Sequence, residues 1–180
     1  DNNAISSSIV LNKGPPEVMA PAGGFPQLQA AISNGADSVY IGLSSFSARA
    51  RASNFNIEEC KEAVRLAHSH NVKVYVALNT LVFQDELEEV EKLVIACYEN
   101  RVDALIVQDI GVTQLIQEIL SNIQNNHQNH HIMEIHASTQ QSITDAHGAI
   151  FANEQCHATR VVLGRELSIE EIGSVVQTLQ

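Results

Sequence analysis

The chain has 180 residues, 44% of them apolar, enough for one domain with a full hydrophobic core. No apolar run approaches the roughly 18 residues of a membrane-spanning helix, and no segment reads as a signal peptide. With 10 Lys and Arg against 21 Asp and Glu, the net charge of -11 argues against a broad nucleic-acid surface, although it leaves room for a local basic pocket.

The first residue is Asp1 rather than Met, so a processed or omitted N-terminus is expected. Residues 1–16 read as a flexible polar lead-in ending at Pro15-Pro16, and residues 17–180 as the folded domain. Six short apolar runs follow, each trailed by a helical pattern. The first run is Glu17–Ala20, with a helix expected over Phe25–Asn34 and closed by Gly35. The second is Ser38–Ile41. Asn56 then caps a helix with Glu58 and Glu59 in its first turn and Ala63, Leu66 and Ala67 as its apolar stripe. The third run, Lys73–Leu78, precedes a helix over Asp85–Tyr98 whose charged face reads as solvated. The fourth, Ala104–Val107, precedes a helix over Val112–Ile123. A low-complexity stretch, Asn125–His131, comes next. Its His127, His130 and His131 are metal ligands in principle, but a solvated insertion explains them better. The fifth run is Glu134–Ala137, with a helix over Asp145–Asn153. The sixth is Arg160–Leu163, after which Ser168 and Glu171 form a capping box. A faint repeat relates Asn34-Gly35-Ala36-Asp37 to Asn100-Arg101-Val102-Asp103, both helix exits feeding a strand.

Alternating strands and helices specify a parallel sheet, either doubly wound or closed into a barrel. A (β/α)8 TIM barrel takes about 250 residues, so six units in about 165 match its spacing with two units missing. No Gly-x-Gly-x-x-Gly follows the first strand, which weakens the dinucleotide-binding alternative. The expected fold is therefore α/β, TIM-barrel-like, six βα units of an incomplete eight-unit barrel. Function in such sheets gathers at the carboxyl ends of the strands.

The residues at those ends supply the candidates. Arg49 and Arg51 lie two apart in the loop after the second strand and together suit a carboxylate or phosphate, unless acidic neighbours brace them instead. His136 ends the fifth strand as a candidate acid or base, or as a satisfied core histidine. Ser138, Thr139 and Gln140 follow it, but no Gly-x-Ser-x-Gly marks Ser138 as a nucleophile. Asn79, Gln108 and Asp109 can orient a substrate, and Arg165 with Glu166 can add a second anion contact. No His-Glu-x-x-His or Cys-x-x-Cys supports a zinc or redox site. Cys60, Cys97 and Cys156 read as packing or surface thiols of an intracellular, reducing environment, with cytoplasm or organelle left open.

Several segments resemble the collagenase-like peptidase family (peptidase family U32). They are Met19–Gly23, Ala36–Gly42, Phe46–Arg51 with Asn54-Phe55, Leu78–Thr80, Leu105–Asp109, His136–Gln140 and Arg160–Ser168, running in order from about Glu17 to Ile172. The resemblance implies a (β/α) barrel and an enzyme. It further implies either peptidase activity on collagen-like substrates or hydroxylation of bases in transfer or ribosomal RNA, dependent on prephenate or independent of oxygen. Family members are associated with iron–sulfur clusters held by cysteines in later parts of the chain. The cysteines here do not follow that pattern, so no cofactor is expected within these residues.

RNA-base hydroxylation is the leading expectation. Arg49 and Arg51 would hold an anionic cosubstrate such as prephenate, His136 would act as acid, base or donor, and Asn79, Gln108 and Ser138 would line the pocket. RNA would be engaged by the full-length protein, and a C-terminal region or partner subunit would complete the barrel. A non-catalytic half-barrel scaffold is the third reading.

Overall fold

The structure, a computed structural model, describes residues 14–47, 54–126 and 131–180. Twelve elements alternate in sequence: β1 (Met19–Pro21), α1 (Phe25–Ser33), β2 (Ser38–Gly42), α2 (Ile57–His68), β3 (Lys73–Leu78), α3 (Leu87–Glu99), β4 (Ala104–Val107), α4 (Ile110–Asn126), β5 (Glu134–Ala137), α5 (Ala146–Glu154), β6 (Arg160–Val161) and α6 (Ile169–Thr178). The three central strands β3, β4 and β5 match the sequence expectation residue for residue. β1 starts two residues late and β6 ends two residues early, because each lies at a sheet edge where one neighbour alone supplies ladder bonds.

All five pairings are parallel, and the strand order is β1-β2-β3-β4-β5-β6. An order without reversal is that of a barrel wall and excludes the doubly wound alternative, whose order reverses at a switch point. The sheet curls into part of a barrel, so that side chains near β1 and on β6 touch across its interior. No described helix is long and apolar enough to cross a membrane.

Alternation along each strand divides the sheet into two faces. Val39, Ile41, Val74, Val76, Leu78, Leu105, Val107 and Ile135 face outward into the main core with Leu28, Val64, Val90, Val94, Ile116 and Leu120 of the helices. A smaller core of Ala137, Ile143, Ala149, Ala152 and Ala158 seats α5. The methyl-sized side chains there suit close approach of the helix to the sheet.

Four of the turns from helix to strand share one device. Gly35, Asn71, Arg101 and His157 all have φ between 54° and 82°. The next residue in each case (Ala36, Val72, Val102 or Ala158) is buried, and its amide donates back to a carbonyl in the last turn of the helix. At Ala36, Val72 and Val102 the bond spans five residues, the Schellman arrangement of a left-handed residue followed by an apolar contact; at Ala158 it spans six. The suspected repeat is part of it. Asp37 Oδ2 accepts from the Val18 amide at 2.8 Å, and Asp103 Oδ2 accepts from the Val74 amide at 2.7 Å. Each aspartate thus ties the start of its own strand to the strand before it.

Of the four left-handed positions only one is glycine, and a side chain there costs about 1 kcal/mol. Arg101→Gly is therefore expected to raise stability by about 0.5 kcal/mol, after the entropy that glycine adds to the unfolded chain. Urea denaturation of the variant measures it.

Candidate active site in the barrel mouth

The carboxyl ends of the strands surround a cavity of about 190 Å³. Tyr40, Ala77 and Ile106, on the inner faces of β2, β3 and β4, and Val162, just after β6, form its apolar part. Ser47, Asn54, Asn79, Thr139 and Arg165 bring polar groups to it, and Met19, Ala22, Gly23 and Gly42 complete the wall. Larger or comparable hollows, about 350 Å³ between α5 and α6 and about 200 Å³ beside α4 and β5, do not collect strand ends.

The loop after β2 is anchored at both ends. The Phe55 amide donates to Gly42 O at 3.0 Å and the Ser44 amide to Phe55 O at 3.1 Å. Phe55 is buried and meets Phe25 edge-on, with ring centroids 5.3 Å apart. Phe46 has φ 58°, an uncommon conformation for a bulky residue, and its carbonyl accepts from the Asn79 amide at 3.2 Å. Gly42 lets the loop pack this closely. A Cβ there would lie 2.5 Å from Ser47 Oγ and 2.7 Å from Asn54 Oδ1.

Among the candidates drawn from sequence, Asn79 and Arg165 line the cavity. Arg165 is exposed and forms no salt bridge with any described residue. Arg49 and Arg51 lie outside the described residues, as do His127 and His130. Asp109 caps α4, accepting from the Val112 amide at 2.8 Å. Ser138 Oγ accepts from the Gln140 amide at 3.2 Å, and the Ser138 amide donates to Val107 O at 2.9 Å, tying β5 to β4. Gln108 is half-buried and Glu166 exposed; neither lines the cavity. His131 is held by Val102 O at 2.7 Å and packs on Tyr98, a structural setting.

His136 faces inward but lies below the cavity. It is 1% exposed, edge-on to Tyr75 at 4.8 Å, and its Nε2 donates to Glu134 Oε2 at 3.0 Å. Beside it is a network that sequence reasoning missed. Arg160 grips Glu17 through two bonds of 3.1 and 2.6 Å. Tyr75 and Ser38 hydroxyls donate to Glu17 Oε1 at 2.7 and 2.6 Å. The available signal was a Glu and an Arg opening otherwise apolar strands. The Arg160 bonds hold the Glu17 carboxyl at about 2, against partial burial and with help from Ser38 and Tyr75. Glu134 is also held at about 2, chiefly by its bond with His136. Burial, reinforced by the bond to Glu17, pushes the Tyr75 hydroxyl up to about 12.

The three cysteines do not suit an iron–sulfur cluster. All are buried, burial raises each thiol, and no group of three metal-ligating side chains occurs among the described residues.

Glu17 and Glu134 give a pH prediction. A depressed carboxylate stabilises the fold fully above its ordinary value of 4.5 and loses that contribution as pH falls toward 2. Stability should fall over that window. Glu17→Gln should be less stable at neutral pH by about 2 kcal/mol and show a flatter acid profile. Denaturation series at several pH values measure both.

Comparison with known proteins agrees with the fold. The family model described as Peptidase family U32 matches residues 23–180. An uncharacterized protease of Methanocaldococcus jannaschii is 36% identical over 164 residues, 91% of this chain and 37% of that protein. The 23S rRNA 5-hydroxycytidine synthase of Escherichia coli is 38% identical over 162 residues, 89% of this chain and 22% of the enzyme. The chain thus spans well under half the length of these relatives. A solved U32 peptidase superposes with a TM-score of 0.68 over 98% of this chain and 70% of its own, at 12% identity, a likeness of fold. The chain belongs to peptidase family U32.

Proposed function

We propose that this chain forms the cosubstrate-binding part of an enzyme that hydroxylates a base in ribosomal or transfer RNA. The observation that carries the reading is the makeup of the cavity. Its described lining contains no Asp, Glu, His, Lys or Cys, and its one charged group is Arg165. A guanidinium beside neutral amides and hydroxyls, over an apolar floor, suits a small carboxylate with an apolar body. Prephenate has that chemistry. In this reading Arg165 holds a carboxylate, Asn79, Asn54, Ser47 and Thr139 orient the ligand, and Arg49 and Arg51 add to the clamp. The rRNA-modifying relative, 38% identical, supports the choice of RNA base as acceptor. Strands from outside these residues would pair with the free edges of β1 and β6.

The family's name favours a second reading, peptide hydrolysis. The described cavity lining pairs no nucleophile with a base, which weighs against hydrolysis by these residues alone.

Calorimetry with prephenate tests the proposal. The protein should bind it, and Arg165→Ala should weaken binding by roughly tenfold or more, the effect of losing one charge-assisted bond. Arg49→Ala with Arg51→Ala should abolish binding while leaving the fold intact. Unchanged affinity in the variants would reject the anion clamp, and cleavage of gelatin by the protein would favour the peptidase reading.

A further inference from the structure

The network beneath the cavity does more than satisfy buried polar groups. Each member lies two residues before a cavity-lining residue: Ser38 before Tyr40 on β2, Tyr75 before Ala77 on β3, Glu17 before Met19 at the start of β1, and Arg160 before Val162 at the end of β6. It is the layer directly under the pocket. β1 and β6 are the ends of the strand order and share no ladder. Pocket wall nevertheless comes from both sides, from Met19 of β1 with Ala22 and Gly23 just after it, and from Val162 and Arg165 in the segment after β6.

We propose that the Glu17–Arg160 pair is a positioning latch that fixes the distance between β1 and β6 and so sets the width, and the ligand size, of the pocket. Two bonds to one carboxylate fix orientation as well as distance, which a single ammonium cannot do. The Arg160 guanidinium also lies 5.4 Å from the Tyr75 ring centroid, and Tyr75 donates to the same Glu17 oxygen, so β3 locks the latch from the middle of the sheet. The assignment of the cavity as the binding site underlies the ligand-size part of this proposal. The width itself is a property of the protein.

A thiol placed in the pocket reads the width without any ligand. The protein's own cysteines are buried, whereas Ile106 is half-buried on the pocket floor, so Ile106→Cys offers one accessible thiol there. Its labelling rates with small methyl methanethiosulfonate and bulkier N-phenylmaleimide are compared with the latch intact and in Glu17→Gln and Arg160→Lys backgrounds. The rate of the bulky reagent relative to the small one should rise by roughly fivefold or more in both backgrounds, the factor for one lost contact of about 1 kcal/mol. Cys97 should stay unlabelled. An unchanged ratio overturns the latch, and so does parallel labelling of Cys97, which would mean general loosening. Should one variant fail to fold, the other still decides. The result stands apart from calorimetry: a widened pocket in a protein that binds no carboxylate would keep the latch and remove the proposed ligand.

Discussion

β1 and β6 are not neighbours in the sheet of the described residues, so no ladder joins them there. A side-chain bond joins them across the barrel interior, from Glu17 before β1 to Arg160 at the start of β6. The pair lies in the barrel interior, partly shielded from water, so its attraction is stronger than that of the exposed Lys92–Glu88 pair on α3. Ser38 and Tyr75 complete the carboxylate's bonding, which makes it tolerable to hold a charge there. The pocket lies directly above this layer.

The layer below the mouth and the layer at the mouth differ in kind. Below, every carboxylate is partnered: Glu17 pairs with Arg160, and Glu134 accepts from His136 and Thr159. At the mouth, Arg165 forms no salt bridge with a described residue, and the other described residues that line the pocket are neutral. Paired charge fixes structure, whereas unpaired charge in a concave site is available to a ligand. That contrast separates His136, whose partners are Glu134 and the Tyr75 ring, from Arg165, which lies in the turn after β6.

The loop after β2 links the two layers to the rim. Its ends are fixed by the Gly42–Phe55 and Ser44–Phe55 bonds, and the strained Phe46 holds Asn79 in place through its carbonyl. Gly42 has no side chain where one would strike Ser47 and Asn54, so the rim can fold down onto the strand end. Backbone strain and a close glycine at a pocket edge indicate a geometry held for a purpose other than stability.

The sequence by itself determined the strands and helices, since β-branched runs of four to six residues and capped amphipathic segments are local signals. It determined Asn56 and Ser168 as caps and the repeated exits at Asp37 and Asp103, all bonds within a few residues or one strand away. It also placed Asn79 and Arg165 at the mouth, because a parallel sheet puts every strand end on one side. Only the tertiary structure decided that His136 sits beneath the pocket, that Asp109 is bound to its own helix, and that Glu17 reaches Arg160. Alternation tells which face a residue takes, but the height of that residue depends on the stagger of neighbouring strands. A bond between residues 143 positions apart exists only once the sheet has curled.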